Sequence, residues 1–115
     1  MVKTNRNAVI LDLNRWRGTQ DNRVLAGRDL GRDAREKERL DEFDKDQGAV
    51  VCVVVPSDFL TVSSSFFRGM FGDSIRALGE DEFRAKYQFT GKSIERVKED
   101  GIRDALREAF PLGRS

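Results

Sequence analysis

The sequence contains no histidine, and it contains only one cysteine. Without histidine the chain can build neither a Ser-His-Asp triad, nor a Cys-His dyad, nor a zinc site with a histidine ligand. The single cysteine, Cys52, lies within a run of valines, where a buried thiol is a poor nucleophile. We therefore predict a protein that is not an enzyme and that binds no metal or cofactor.

Charge and hydropathy argue against two further classes of partner. The 21 basic residues are balanced by 20 acidic ones, so neither nucleic acid nor an anionic membrane is expected as the main partner. No apolar run approaches the ~20 residues that span a bilayer. Residues 1–7 lack the apolar stretch of a secretory signal, and a lone cysteine cannot form a disulfide within the chain. These features predict a cytoplasmic protein.

The length and the order of the predicted elements indicate the fold class. A chain of 115 residues predicts one domain over residues 1–115. Strands are predicted at 8–13, 49–55 and 87–89, with a further short strand or turn at 23–25. Helices are predicted at 28–46, at 67–78, at 80–85 and after Ser93. Strands that alternate with helices predict an α/β fold, in which amphipathic helices cover a small sheet.

The apolar segment 49–55 has the sequence Ala-Val-Val-Cys-Val-Val-Val. Because apolar and polar residues do not alternate in it, the segment is typical of an interior strand that is buried on both faces. The following helical pattern repeats apolar residues on one face. The core is therefore expected to join three strand positions to three helix positions: Val51, Val53, Val55, Phe67, Phe71 and Ile75.

A run of three serines, Ser63, Ser64 and Ser65, precedes that helical pattern. One interpretation is that a serine simply caps the helix, since its side-chain oxygen can accept a hydrogen bond from a free backbone N–H. The other is a phosphoacceptor, because a phosphate at a helix N-terminus gains from free N–H groups and from the helix dipole. Arg68 lies four residues after Ser64 and could pair with such a phosphate.

Two stretches of the chain, residues 25–35 and 63–72, carry a resemblance to a known family. The first contains Gly27-Arg28 followed by Gly31-Arg32 and Arg35, and the second contains Ser64-Ser65-Phe66 with a later Phe71-Gly72. In this order and spacing the chain resembles the prokaryotic STAS-like domains, which are related to the anti-sigma factor antagonists.

The resemblance carries expectations about fold and function. It implies a small mixed four-stranded sheet with amphipathic helices packed mainly on one face. It also implies a protein-interaction switch, in which Ser64 would be phosphorylated by a partner serine kinase of the histidine-kinase-like ATPase fold. The chain departs from the antagonists at Ser63, where they have an acidic residue, and at Phe66, where they have a glycine.

Two functions from different classes follow. The first is a non-enzymatic regulatory module that binds a protein partner through residues 57–71, with Asp58, Phe66 and Arg68 as candidate contacts. Phe66 lies off the main apolar stripe and is expected to be partly exposed. The alternative is a domain, binding or enzymatic, that holds an anion or small molecule at the helix N-terminus, residues 63–66. A concave pocket with converging lysines or arginines there would favour this alternative.

Overall fold

The structure is a computed structural model and describes residues 7–109. This range contains five strands: β1 (Asn7–Asp12), β2 (Val24–Leu25), β3 (Ala49–Val54), β4 (Thr61–Val62) and β5 (Tyr87–Thr90). The same range contains five α-helices: α1 (Arg28–Lys37), α2 (Leu40–Lys45), α3 (Ser64–Leu78), α4 (Glu80–Lys86) and α5 (Glu95–Ala109). The predicted α/β class is confirmed. Over this range no helix combines the length and the apolar character needed to cross a membrane.

Within residues 7–109 the strands form two small parallel sheets. The main sheet has the order β1-β3-β5, and its register places Leu11 beside Val53 and Val53 beside Phe89. The strands β2 and β4 pair with each other, Val24 beside Thr61. The expected single mixed sheet of four strands is therefore wrong for residues 7–109. The crossovers between β1, β3 and β5 contain helices, as parallel pairing requires, and β2 and β4 form a separate two-stranded sheet.

The two faces of the main sheet differ in burial. Leu11, Val51 and Val53 are buried on the face that α3 and α5 cover. On the other face Ile10 is 66% exposed and Cys52 is only partly buried. The prediction that β3 is buried on both faces is therefore wrong. The strand is central in the sheet, between β1 and β5, but the residues on its second face are only partly buried.

The predicted core is confirmed, since all six predicted residues belong to one buried cluster. Phe71 lies at its centre, and its ring centroid is 5.1 Å from those of Phe67 and Phe89. The rings of Tyr87 and Phe83 lie within 6.1 Å of it. The aromatic side chains of α3 thus join those of α4 and β5 in one cluster.

The helices α1 and α3 approach each other until their backbones touch. A Cβ atom on Gly31 would lie 2.3 Å from the carbonyl oxygen of Phe66, and one on Gly69 would lie 2.3 Å from that of Arg28. Only glycine fits at either position. The spacing of Gly27, Gly31 and Arg35, four residues apart, places all three on the face of α1 that meets α3.

The helix predicted at 28–46 is in fact two helices, α1 and α2. They are separated at Arg39, which has φ 62° and ψ 45° in the left-handed region. A left-handed residue cannot continue a right-handed helix, so the chain changes direction there. The apolar residues of 28–46 drift around the predicted helix, and the turn allows Leu40 to reach the core.

Candidate functional site

Ser63 is the N-cap of α3. Its Oγ accepts a hydrogen bond from the N–H of Phe66 at 3.1 Å and one from the N–H of Gly27 at 3.4 Å. Its own N–H donates to the carbonyl oxygen of Leu25 at 2.7 Å. Ser63 is half-buried and fully occupied by these contacts. It fits the capping interpretation of the serine run and is a poor target for a kinase.

Ser64 and Ser65 are exposed in the first turn of α3. The Oγ of Ser65 lies 3.1 Å from that of Ser63. Over residues 7–109 no hydrogen bond involves the Ser64 hydroxyl, which is therefore presented to solvent. The predicted arrangement, in which at least one accessible serine hydroxyl lies at the start of the helix ending near Leu78, is confirmed.

Phe66 is fully buried. The expectation that it is partly exposed and contacts a partner is therefore wrong. Its backbone lies against Gly31 of α1, so the close approach of the two helices carries the ring into the core. The apolar stripe of α3 is wider than the spacing from Phe67 indicated, because α1 and the sheet contact different sides of the helix.

Arg68, the predicted partner of a phosphate on Ser64, is bound to Glu108 near the end of α5. Glu108 also accepts a hydrogen bond from Arg76 at 3.1 Å. The Nε atom of Arg68 is buried, and over residues 7–109 it has no hydrogen-bond partner. Arg68 remains four residues from Ser64 on the same helix, so a phosphate on Ser64 would compete with Glu108 for it.

Asp58 is held by Arg17 in a bidentate ion pair with N–O distances of 2.8 and 2.9 Å. The hydrogen bonds from Arg17 keep the pKa of Asp58 below its usual range, against a smaller opposing effect of desolvation. Arg17 in turn lies over the ring of Phe59, with its guanidinium carbon 4.7 Å from the ring centroid. Asp58 is thus fixed in position but still 45% exposed at the side chain.

Two exposed apolar residues lie near the start of α3, and no sequence pattern predicted their exposure. Leu60 is 72% exposed, and its N–H donates to the carbonyl oxygen of Arg23. Val24, the next residue, is 37% exposed. Val24 belongs to β2, and Leu60 directly precedes β4, which leads into α3. We call Val24, Asp58, Leu60, Ser64 and Ser65 the β4–α3 surface.

The electrostatics of this surface favour negative charge. The first residues of α1 and α3 meet where the N–H of Gly27 contacts Ser63, so the positive ends of two helix dipoles lie side by side. However, the main cavities of the described chain are lined by residues other than the three serines.

A buried polar cluster joins α1, α2, α3 and β5, and sequence reasoning did not find it. Arg35 donates to the Oγ of Ser74 at 2.8 Å and to Asp44 at 3.0 Å, and Tyr87 donates to Asp44 at 2.6 Å. Burial, aided by the hydrogen bond to Asp44, raises the pKa of Tyr87. The helical spacing of Gly27, Gly31 and Arg35 was the available signal, because it places Arg35 on a face that packs.

Over residues 7–109 no group of three or more acidic or cysteine side chains is arranged to hold a metal ion. Comparison of the chain with protein-family models, with curated proteins and with solved structures gives no match.

Proposed function

We propose that this chain is a non-enzymatic regulatory module of the STAS-like type, which binds a protein partner in the cytoplasm through the β4–α3 surface. The observation that carries the proposal is the position of Ser64. Its free, exposed hydroxyl stands at the first residue of a 15-residue helix, and exposed Leu60 lies immediately before β4, the strand that leads into this helix. An exposed apolar side chain beside a fixed charge is typical of a protein-binding surface.

The proposal includes phosphorylation of Ser64 by a serine kinase of the histidine-kinase-like ATPase fold. The Oγ of Ser64 would take the γ-phosphoryl group of ATP, with loss of the hydroxyl proton and release of ADP. The product adds roughly −1.5 to −2 charges near the N-termini of α1 and α3, where the helix dipoles favour it. It also places an anion within reach of Arg68. The surface offered to the partner would thus change in charge while the fold stays the same.

The binding experiment uses the full chain and a purified kinase of this class, with the affinity measured by calorimetry. Leu60→Ser is expected to weaken binding by about tenfold or more, as removal of a well-placed apolar contact does. Ile10→Ser is the matched control, since Ile10 is similarly exposed but lies on the open face of the sheet. Equal losses from both variants would contradict the proposed surface.

The phosphorylation experiment adds ATP and follows the intact mass. We expect the wild type and Ser65→Ala to gain one phosphoryl group, and Ser64→Ala to gain none. Phosphate on Ser65 alone would show that Ser65, and not Ser64, is the phosphoacceptor. No phosphate at all, with binding retained, would leave an interaction module without this switch.

The anion-binding alternative has less support. The helix N-terminus at 63–66 has free N–H groups, but Ser63 already occupies the N–H of Phe66. The main cavities within residues 7–109 are also lined by residues other than the three serines.

A further inference from the structure

The short helix α2 is held in an unusual way. It has six residues, its N-cap is the left-handed Arg39, and no side chain caps its first turn. A helix of this length has no stability of its own in water. Its position therefore depends on what attaches it to the rest of the molecule.

The apolar attachment of α2 is small. Leu40, its first residue, is fully buried, and Phe43 is half-buried against the core. Asp41, Glu42 and Lys45 are exposed. By contrast, α3 buries residues along most of its length, from Phe66 to Ile75.

The first polar attachment is Arg35, which reaches α2 from α1. One guanidinium nitrogen donates to Asp41 at 2.5 Å and to Asp44 at 3.0 Å. The other donates to the carbonyl oxygen of Met70 at 3.0 Å and to Ser74 at 2.8 Å, both on α3. Burial alone would lower the pKa of Arg35, but the hydrogen bonds to Asp41 and Asp44 outweigh it and raise the pKa. Arg35 thus links α2 to α3.

The second polar attachment is Lys86, the last residue of α4. Its ammonium group donates to the carbonyl oxygen of Phe43 at 2.8 Å and to that of Asp46. Like Arg35, it is buried, with 8% of the residue exposed. A lysine at this position binds carbonyls at the C-terminal end of α2 and complements the negative end of its dipole.

The two cations and their partners would be hydrated together if α2 moved away. Its carboxylates, its carbonyls, Arg35 and Lys86 would all reach water in one step, so no charge would be left buried without a partner. Only Leu40 and part of Phe43 would lose apolar contacts. The free energy of this movement should therefore lie well below that of global unfolding.

We propose that α2 is a strap, fastened by Arg35 and Lys86, that opens and closes as a local unit while α1, α3 and the sheet stay folded. Opening would expose the hydroxyls of Ser74 and Tyr87 and the depression between α2 and α4, which Asp44, Leu78, Glu82 and Lys86 line. The inference does not depend on the β4–α3 surface or on the proposed function.

Native-state hydrogen exchange of the full wild-type chain, measured at increasing urea below the unfolding transition, tests the strap. Local opening exposes little surface, so α2 amides should exchange at least about tenfold faster than mid-α3 amides, with rates nearly independent of urea. If α2 amides instead share the rates and the urea dependence of α3, the helix opens only with global unfolding and the proposal is wrong.

A pair of variants on α4 sharpens the test. Lys86→Met keeps the apolar stem but removes the donor, and we expect about tenfold faster exchange in α2 with α3 unchanged. Arg84→Met is the control, because Arg84 lies on the same helix but forms its hydrogen bonds with Glu80 and Glu99, which are outside α2. Equal acceleration of α2 and α3 by Lys86→Met would overturn the proposal. Should that variant not fold, Asp41→Asn removes an exposed partner of Arg35 and should accelerate α2 to a smaller degree.

Discussion

The covered and open faces of the main sheet are built from adjacent residues of the same valine-rich strand, yet their surroundings differ. Val53 is fully buried beneath α3, while its neighbour Val54 is only partly buried. Parallel sheets are usually covered by helices on both faces. The comparison shows that an apolar strand sequence reports the strand's central position in a sheet, and not whether a second layer covers it.

The largest expected difference in stability is between a variant in the core over the covered face and a variant on the open face. Phe71→Ala should reduce the free energy of unfolding by about 3–5 kcal/mol, because the ring lies among four other aromatic rings and its loss leaves a cavity. Ile10→Ala on the open face should cost less than about 1 kcal/mol. Urea unfolding followed by circular dichroism measures both. Similar costs for the two variants would refute the difference between the faces.

The helices over the covered face can be tested by replacing two glycines with alanine, because the two substitutions are expected to change the stability in opposite directions. Gly31→Ala should cost about 1–3 kcal/mol, because the new Cβ meets the backbone of α3 and the helices must separate. Gly72→Ala should instead stabilise the protein by about 0.5–1 kcal/mol, since alanine favours the helix. Its Cβ would meet only the end of the flexible Arg76 side chain, at 3.4 Å. A stabilising Gly31→Ala would show that the two backbones are not in contact.

Adjacent valines allow a test at constant volume. Val53→Thr places a hydroxyl in the core and should cost about 1–3 kcal/mol, whereas Val54→Thr should change stability by less than about 0.5 kcal/mol. Thermal or urea unfolding of the pair is sufficient. If Val54→Thr were as costly as Val53→Thr, the open face would have to be covered in solution.

The smallest expected changes in stability are at the start of α3, the helix that packs on the covered face. Ser63→Ala removes the acceptor for the N–H of Phe66 and should cost about 1 kcal/mol. Ser64→Ala and Ser64→Asp should each stay within about 0.5 kcal/mol, because Ser64 is exposed. A large loss at Ser64 would mean that its hydroxyl has a structural role, which would argue against a regulatory one.

Much of the fold could be predicted because hydrophobic periodicity is local. The apolar repeat of α3 and the valine run of β3 identified the core, and the serine run marked the helix start. The division of 28–46 into α1 and α2 could not be predicted, because it depends on the burial of Leu40 in the core. The exposure of Phe66 was predicted wrongly for a related reason. The helix α1 contacts a side of α3 that the apolar repeat of α3 does not identify as buried.

The candidate surface shows the same limit. The serines and Asp58 were visible as polar residues in a loop and at a helix start. Leu60 was not, because exposure of one leucine depends on whether any other element covers it. Arg35 looked like one charge among many on α1, and only the approach of α2, α3 and β5 makes it the centre of a buried cluster.

The α/β class, the core of β3 and α3, and the serine cap at the start of α3 could all be predicted from residue order alone. These features depend on residue type and spacing along one segment. Tertiary structure decided which face of the sheet is covered, which serine is free, and how α2 is attached. Each of those depends on contacts between distant segments, such as Gly31 with Phe66 and Lys86 with Phe43, which no local pattern encodes.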